Sequence, residues 1–138
     1  MKGFRKLLGK IPSGLMSVLV VAVILWLTLA PHPTGSLRIQ LFPGADKVVH
    51  ALMFGFLSVI VLLDIMKKKG WKTVSLPTIA IVAFGCALFG VGIELVQRAM
   101  GLGRTFEALD ILADSSGAVA GAGIWAMIQK AIVTRDHP

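Results

Sequence analysis

Three short stretches hold most of the residues able to do chemistry: "DKVVH" (46–50), "IELVQ" (93–97) and "RTFEALDILAD" (104–114). They supply Asp46, Lys47, His50, Glu94, Gln97, Arg104, Glu107, Asp110 and Asp114. His50 with a carboxylate such as Asp110 has the make-up of a general acid/base pair. Lys47 and Arg104 are groups that hold phosphate or carboxylate, whereas Glu94 and Asp110 suit hydroxyl or amine groups. His50, Glu94 and Asp110 also include the donor types of a divalent-metal site. One histidine with scattered acids and no HExxH spacing does not define such a site, so no metal is assigned. Ser115 and Ser116 lie nearby, but small hydroxyls inside a helix more often bond the backbone.

The elements that must position these residues are apolar. Of 138 residues, 56% are hydrophobic, and the mean hydropathy is +0.83. A soluble domain of this size needs more polar surface, and the apolar residues fall in long blocks. The blocks are about 13–30, 46–66, 74–97 and 107–129. Each is long enough as a helix to cross a hydrocarbon core of about 30 Å at about 1.5 Å per residue. The expected fold is an all-α membrane protein, a single domain built as a bundle of four transmembrane helices. The first block could be a signal peptide, but cleavage after Ala30 would leave Pro31 at the new terminus, so an uncleaved helix is expected. The single cysteine, Cys86, allows no internal disulfide.

Charge sets the expected orientation. Ten of the 14 Lys and Arg residues fall before the first block, between the second and third, or after the fourth. The net charge of +7 therefore reads as a topology signal and not as a nucleic-acid surface, and no nucleic-acid partner is expected. Both termini should be cytoplasmic, with loops 31–45 and 98–106 facing out. Trp71 and Trp125 would then lie at the inner interface and Trp26 at the outer one.

Five of the seven acids, all but Asp64 and Asp136, fall at the outer ends of the last three blocks. Asp64 lies near Lys67 and Lys68, where a local ion pair accounts for it. On a helix, Glu107, Asp110, Asp114, Gly117 and Gly121 share an arc of about 80°. Glycines on that face let a neighbouring backbone approach, so the acids should point into the bundle. Asp46 and His50 share a face at i,i+4, and Glu94 and Gln97 at i,i+3. The outer ends of three helices thus offer one shared polar space.

These residues resemble the VanZ-like family of small bacterial membrane proteins. The matching pattern is Asp46, Lys47, His50 and Phe54, then Glu94 and Gln97, then Arg104 and Asp110, then Asp114, Gly117 and Gly121. Position 114, often Asn in that family, is Asp here. The resemblance implies a multi-pass protein of the bacterial cytoplasmic membrane, in a family named for lowered susceptibility to teicoplanin. It implies a place in the envelope and no particular reaction or cofactor. Membrane lipids are the expected partners, with a lipid-linked cell-wall precursor or a lipoglycopeptide as the specific ligand. Three uses of the polar residues stay open: headgroup recognition, an intramembrane enzyme using His50 and Asp110, and transport. A purely structural polar cluster is the alternative to all three.

Overall fold

The computed structural model describes residues 2–30, 43–101 and 107–134. Among these, five helices occur and no strand: α1 (Lys2–Gly9), α2 (Leu15–Leu29), α3 (Ala45–Lys68), α4 (Leu76–Met100) and α5 (Ala108–Thr134). Three of them, α3, α4 and α5, are long and apolar enough to cross a bilayer. The first apolar block forms a shorter helix of 15 residues. At about 1.5 Å per residue it spans about 22 Å, less than a hydrocarbon core of about 30 Å. The basic N-terminal segment, read from sequence only as a topology signal, forms the separate helix α1.

Helix ends follow local chemistry. Pro77 lies in the first turn of α4, where its missing N–H costs nothing. The α3 C-terminus closes through Gly70 (φ 68°), with Gly70 N–H donating to the Lys67 carbonyl and Trp71 N–H to the Met66 carbonyl. Trp71 also has a positive φ, 64°, and its ring lies under the Arg5 guanidinium at 5.3 Å. That stack fastens α1 to the α3–α4 turn.

Helices α3 and α5 run parallel, with α4 antiparallel to both, and α3 and α5 make the most extensive contact. Small residues explain it. A Cβ on Gly117 would collide with the Ala51 carbonyl, and one on Gly121 with the Gly55 carbonyl. Ala51 and Gly55 thus face Gly117 and Gly121 at matching four-residue spacing, the small-xxx-small device of membrane helices. Helix α2 packs on α3 and α4.

The interior has two apolar layers. One is built around Phe54, Leu57, Ile24, Cys86, Ile93 and Ala118. The other includes Leu62, Met66, Val74, Ile79 and Trp125. Trp125 is 1% exposed and fills the second layer. This layer also takes in Val74 before α4, with Trp71 of the α3–α4 turn packed against it. Outward-facing Leu52, Phe56, Ile81, Phe84, Leu88, Val119 and Met127 are exposed, as expected where lipid is the solvent.

Candidate functional site

The bundle has an acidic end, where α3 and α5 begin and α2 and α4 finish, and a basic end opposite. The helix phase set by Gly117 and Gly121 brings the acids of α5 onto the first turns of α3. Lys47 Nζ lies 2.5 Å from Asp46 Oδ2 and 2.9 Å from Asp110 Oδ1, and it also bonds Glu107. One turn deeper, His50 Nδ1 lies 2.9 Å from Asp114 Oδ1. An acid/base pair of His50 with Asp110, one of the uses left open above, is not what the helices bring together. Asp110 stands at the level of Lys47, and Asp114 is the partner of the histidine.

Asp114 is 1% exposed and packs on Gly90 of α4, where a side chain would overlap its carboxylate. One turn further along α4, Glu94 is also 1% exposed. Its Oε2 accepts from the Glu107 N–H at 3.4 Å, a long bond that helps hold the start of α5. Glu94 lies within electrostatic reach of His50, Asp110 and Asp114. Two oxygens in this inner tier, Glu94 Oε1 and Asp114 Oδ2, are buried without a hydrogen-bond partner. Gln97, expected to join the polar space, donates its amide to the Thr28 carbonyl at 2.8 Å and ties α4 to the end of α2. Arg104 and most of loop 31–45 lie outside the described residues.

Three carboxylates, those of Asp46, Glu107 and Asp110, have oxygens within 4.8 Å of one another. That spacing could hold a metal ion, but the Lys47 ammonium already stands among them. Ser116 Oγ donates to the Leu112 carbonyl at 2.6 Å and so serves its own helix.

A comparison with protein families supplies the deciding observation. The VanZ/LLP1 family pattern matches residues 11–129. The chain belongs to the VanZ/LLP1 family. The match runs from the start of α2 to near the end of α5, so the polar residues of α3, α4 and α5 all lie inside the family's extent. No curated protein and no solved structure matches the chain.

Sequence reasoning missed two polar arrangements at the basic end of this VanZ/LLP1 protein. Asp64 forms the expected ion pair with Lys67, whose Nζ lies at 3.3 Å, but it also accepts from Ser17 N–H at 3.0 Å and from Ser17 Oγ at 2.7 Å. It therefore serves as the N-terminal cap of α2, whose own N-cap residue is Gly14. Lys67 also donates to the Ile11 carbonyl, at 3.1 Å. Gln129 bonds both backbone groups of Val74, accepting at 2.8 Å and donating at 3.1 Å, and so fixes the approach to α4. Ser17 lies 47 residues from Asp64, and Val74 lies 55 from Gln129, so these two pairings left no local signal.

Proposed function

We propose that this VanZ/LLP1 protein is a multi-pass protein of the bacterial cytoplasmic membrane whose acidic end recognises the headgroup of an envelope lipid or lipid-linked cell-wall precursor. In this reading α2 completes a four-helix bundle, both termini are cytoplasmic, and the acidic end faces outward. The excess of Lys and Arg at the opposite end supports that orientation. The single observation that carries the reading is convergence. His50, Glu94 and Asp114, from three helices, meet at depth in a bundle whose outer surface is apolar. Ionisable groups inside a membrane bundle are costly and tend to mark functional sites. Interhelical polar pairs contribute only about 0.6 kcal/mol on average, a weak reason to keep so many charges for stability alone. A headgroup site would also fit a family linked to teicoplanin, since a lipoglycopeptide and a lipid-linked precursor both present polar groups on an alkyl anchor.

The test is native mass spectrometry of the protein extracted from its own membranes in mild detergent. The reading expects a defined lipid adduct on the wild type that is lost from folded His50→Ala. An unchanged adduct pattern in that variant would overturn it.

A second reading has an observation of its own. The His50–Asp114 contact fixes Nδ1 and leaves Nε2 as the nitrogen that could exchange a proton with a lipid substrate. It expects a chemically altered lipid in the adduct, absent from the His50→Ala strain. Recovery of an unaltered lipid from the wild type, lost from folded His50→Ala, would dismiss the enzyme and leave recognition.

A further inference from the structure

The carboxylates of the acidic end form two tiers with unequal provision. In the outer tier one ammonium, Lys47 Nζ, is shared by Asp46, Glu107 and Asp110. In the inner tier Glu94 Oε1 and Asp114 Oδ2 are buried and unpartnered, on side chains only 1% exposed. An ionised carboxylate can only accept hydrogen bonds, so the two acids cannot satisfy each other. His50 directs Nδ1 to the other oxygen of Asp114. A buried acceptor or charge without compensation is costly. What completes this tier is a donor, and a positively charged donor completes it best.

We propose that the inner tier binds a cationic group, the ammonium of an amine-bearing amphipath. This rests on the headgroup reading above and adds the sign of the ligand's charge. It also revises the expectation that Lys47 would hold a phosphate. That ammonium already has three carboxylate neighbours and cannot serve an anion without leaving them. A bare metal ion fits the inner tier less well. Oxygen ligands of Mg²⁺ or Ca²⁺ lie about 2.0–2.6 Å from the ion, so they crowd together. Among the described residues, the acidic triple close enough for that is Asp46, Glu107 and Asp110, within 4.8 Å, where Lys47 already stands. A –NH₃⁺ group carries three divergent N–H donors and can serve acceptors that are spread further apart.

The neighbourhood provides for the rest of such a molecule. An apolar groove of 540 Å³ between α3 and α5 is lined by Ala51 and Ser116 at the end toward the acids. Its floor is Gly55, Gly117 and Gly121.

The experiment is native mass spectrometry of the full chain in mild detergent with dodecylammonium, dodecanol and dodecyl phosphate as probes. Mg²⁺ and Zn²⁺ are separate arms. Dodecylammonium should bind about tenfold or more tightly than the other two amphipaths, and Glu94→Gln and Asp114→Asn should each weaken it about tenfold. Equal or tighter binding of dodecyl phosphate, lost in those variants, would overturn the charge assignment while leaving a headgroup site. A metal ion that binds and is lost in Glu94→Gln would replace the amine as the cation. Ammonium binding unaffected by either variant would overturn the assignment to these residues. Retention of none of the three amphipaths would remove the headgroup reading as well. Both variants keep the side-chain shape, and the wild-type comparison among the probes requires no variant to fold.

Discussion

Each end of the bundle buries carboxylates, and the two ends treat them differently. At the basic end Asp64 is surrounded by donors: the Ser17 N–H, the Ser17 hydroxyl and the Lys67 ammonium. At the acidic end Glu94 and Asp114 are buried more deeply still, yet each keeps one oxygen without a partner. Asp64 completes a helix terminus within the protein, and its cost is met there. The inner-tier acids each have one partner, His50 for Asp114 and the Glu107 N–H for Glu94, and each is left one donor short. Burial alone therefore does not separate a structural acid from a binding acid; the tally of donors around it does.

The largest expected effect tests the structural side of that contrast. Asp64→Ala removes the cap of α2 and leaves Lys67, whose side chain is 4% exposed, without its counter-ion. Breaking a buried pair in this way costs about 3–5 kcal/mol, read as a lower midpoint of unfolding in a denaturing-detergent titration. Adding Lys67→Met should restore much of the loss. If Asp64→Ala unfolds like the wild type, the contrast between the ends collapses.

Next comes the seam that sets the phase between the ends. Gly117→Ala or Gly121→Ala would drive a methyl into the Ala51 or Gly55 carbonyl. Overpacking of this kind costs about 1–3 kcal/mol. The same change should pull Asp114 away from His50, so amphipath binding should fall along with stability.

Lys47→Gln sharpens the contrast within the acidic end. It leaves the Asp46, Glu107 and Asp110 oxygens, within 4.8 Å of one another, without an ammonium. Thermal stability of the variant should then rise on adding millimolar Ca²⁺ or Mg²⁺, whereas the wild type should respond little. Gln97→Ala breaks the bond to the Thr28 carbonyl and should cost about 1 kcal/mol, a loss of fold without a change in probe selectivity.

The smallest change in stability belongs to the site itself. Glu94→Gln should unfold within about 1 kcal/mol of the wild type, or later, because it removes a buried charge while keeping a group able to hydrogen-bond. Its ligand binding should fall nonetheless. A strongly destabilised Glu94→Gln would mean that this acid, like Asp64, serves the fold.

Much of this arrangement was legible in the residues. The apolar blocks announced α2 to α5, and the one-sided spacing of Glu107, Asp110, Asp114, Gly117 and Gly121 announced a face that carries acids at one end and close packing below. The grouping of Lys47 with acids followed from charge. The choice of Asp114 over Asp110 for His50 did not, and neither did the diversion of Gln97 to Thr28. The Asp64 cap was hidden because Ser17 lies 47 residues away along the chain. The burial of Trp125 was not legible either, because its covering neighbours come from other helices.

The sequence by itself determined which faces of which helices are polar, since helical periodicity fixes the angle of each side chain about its own axis. It also determined the family, through residue types kept in order along 11–129. The tertiary structure alone decided the axial offset between helices. Contact of Gly117 with Ala51 and of Gly121 with Gly55 sets that offset, and with it whether the histidine meets the acid of one turn or the next. The pattern of residues along one helix carries no information about sliding against another. For that reason the partners of His50, and the two carboxylate oxygens left without partners, became visible only when the helices were packed.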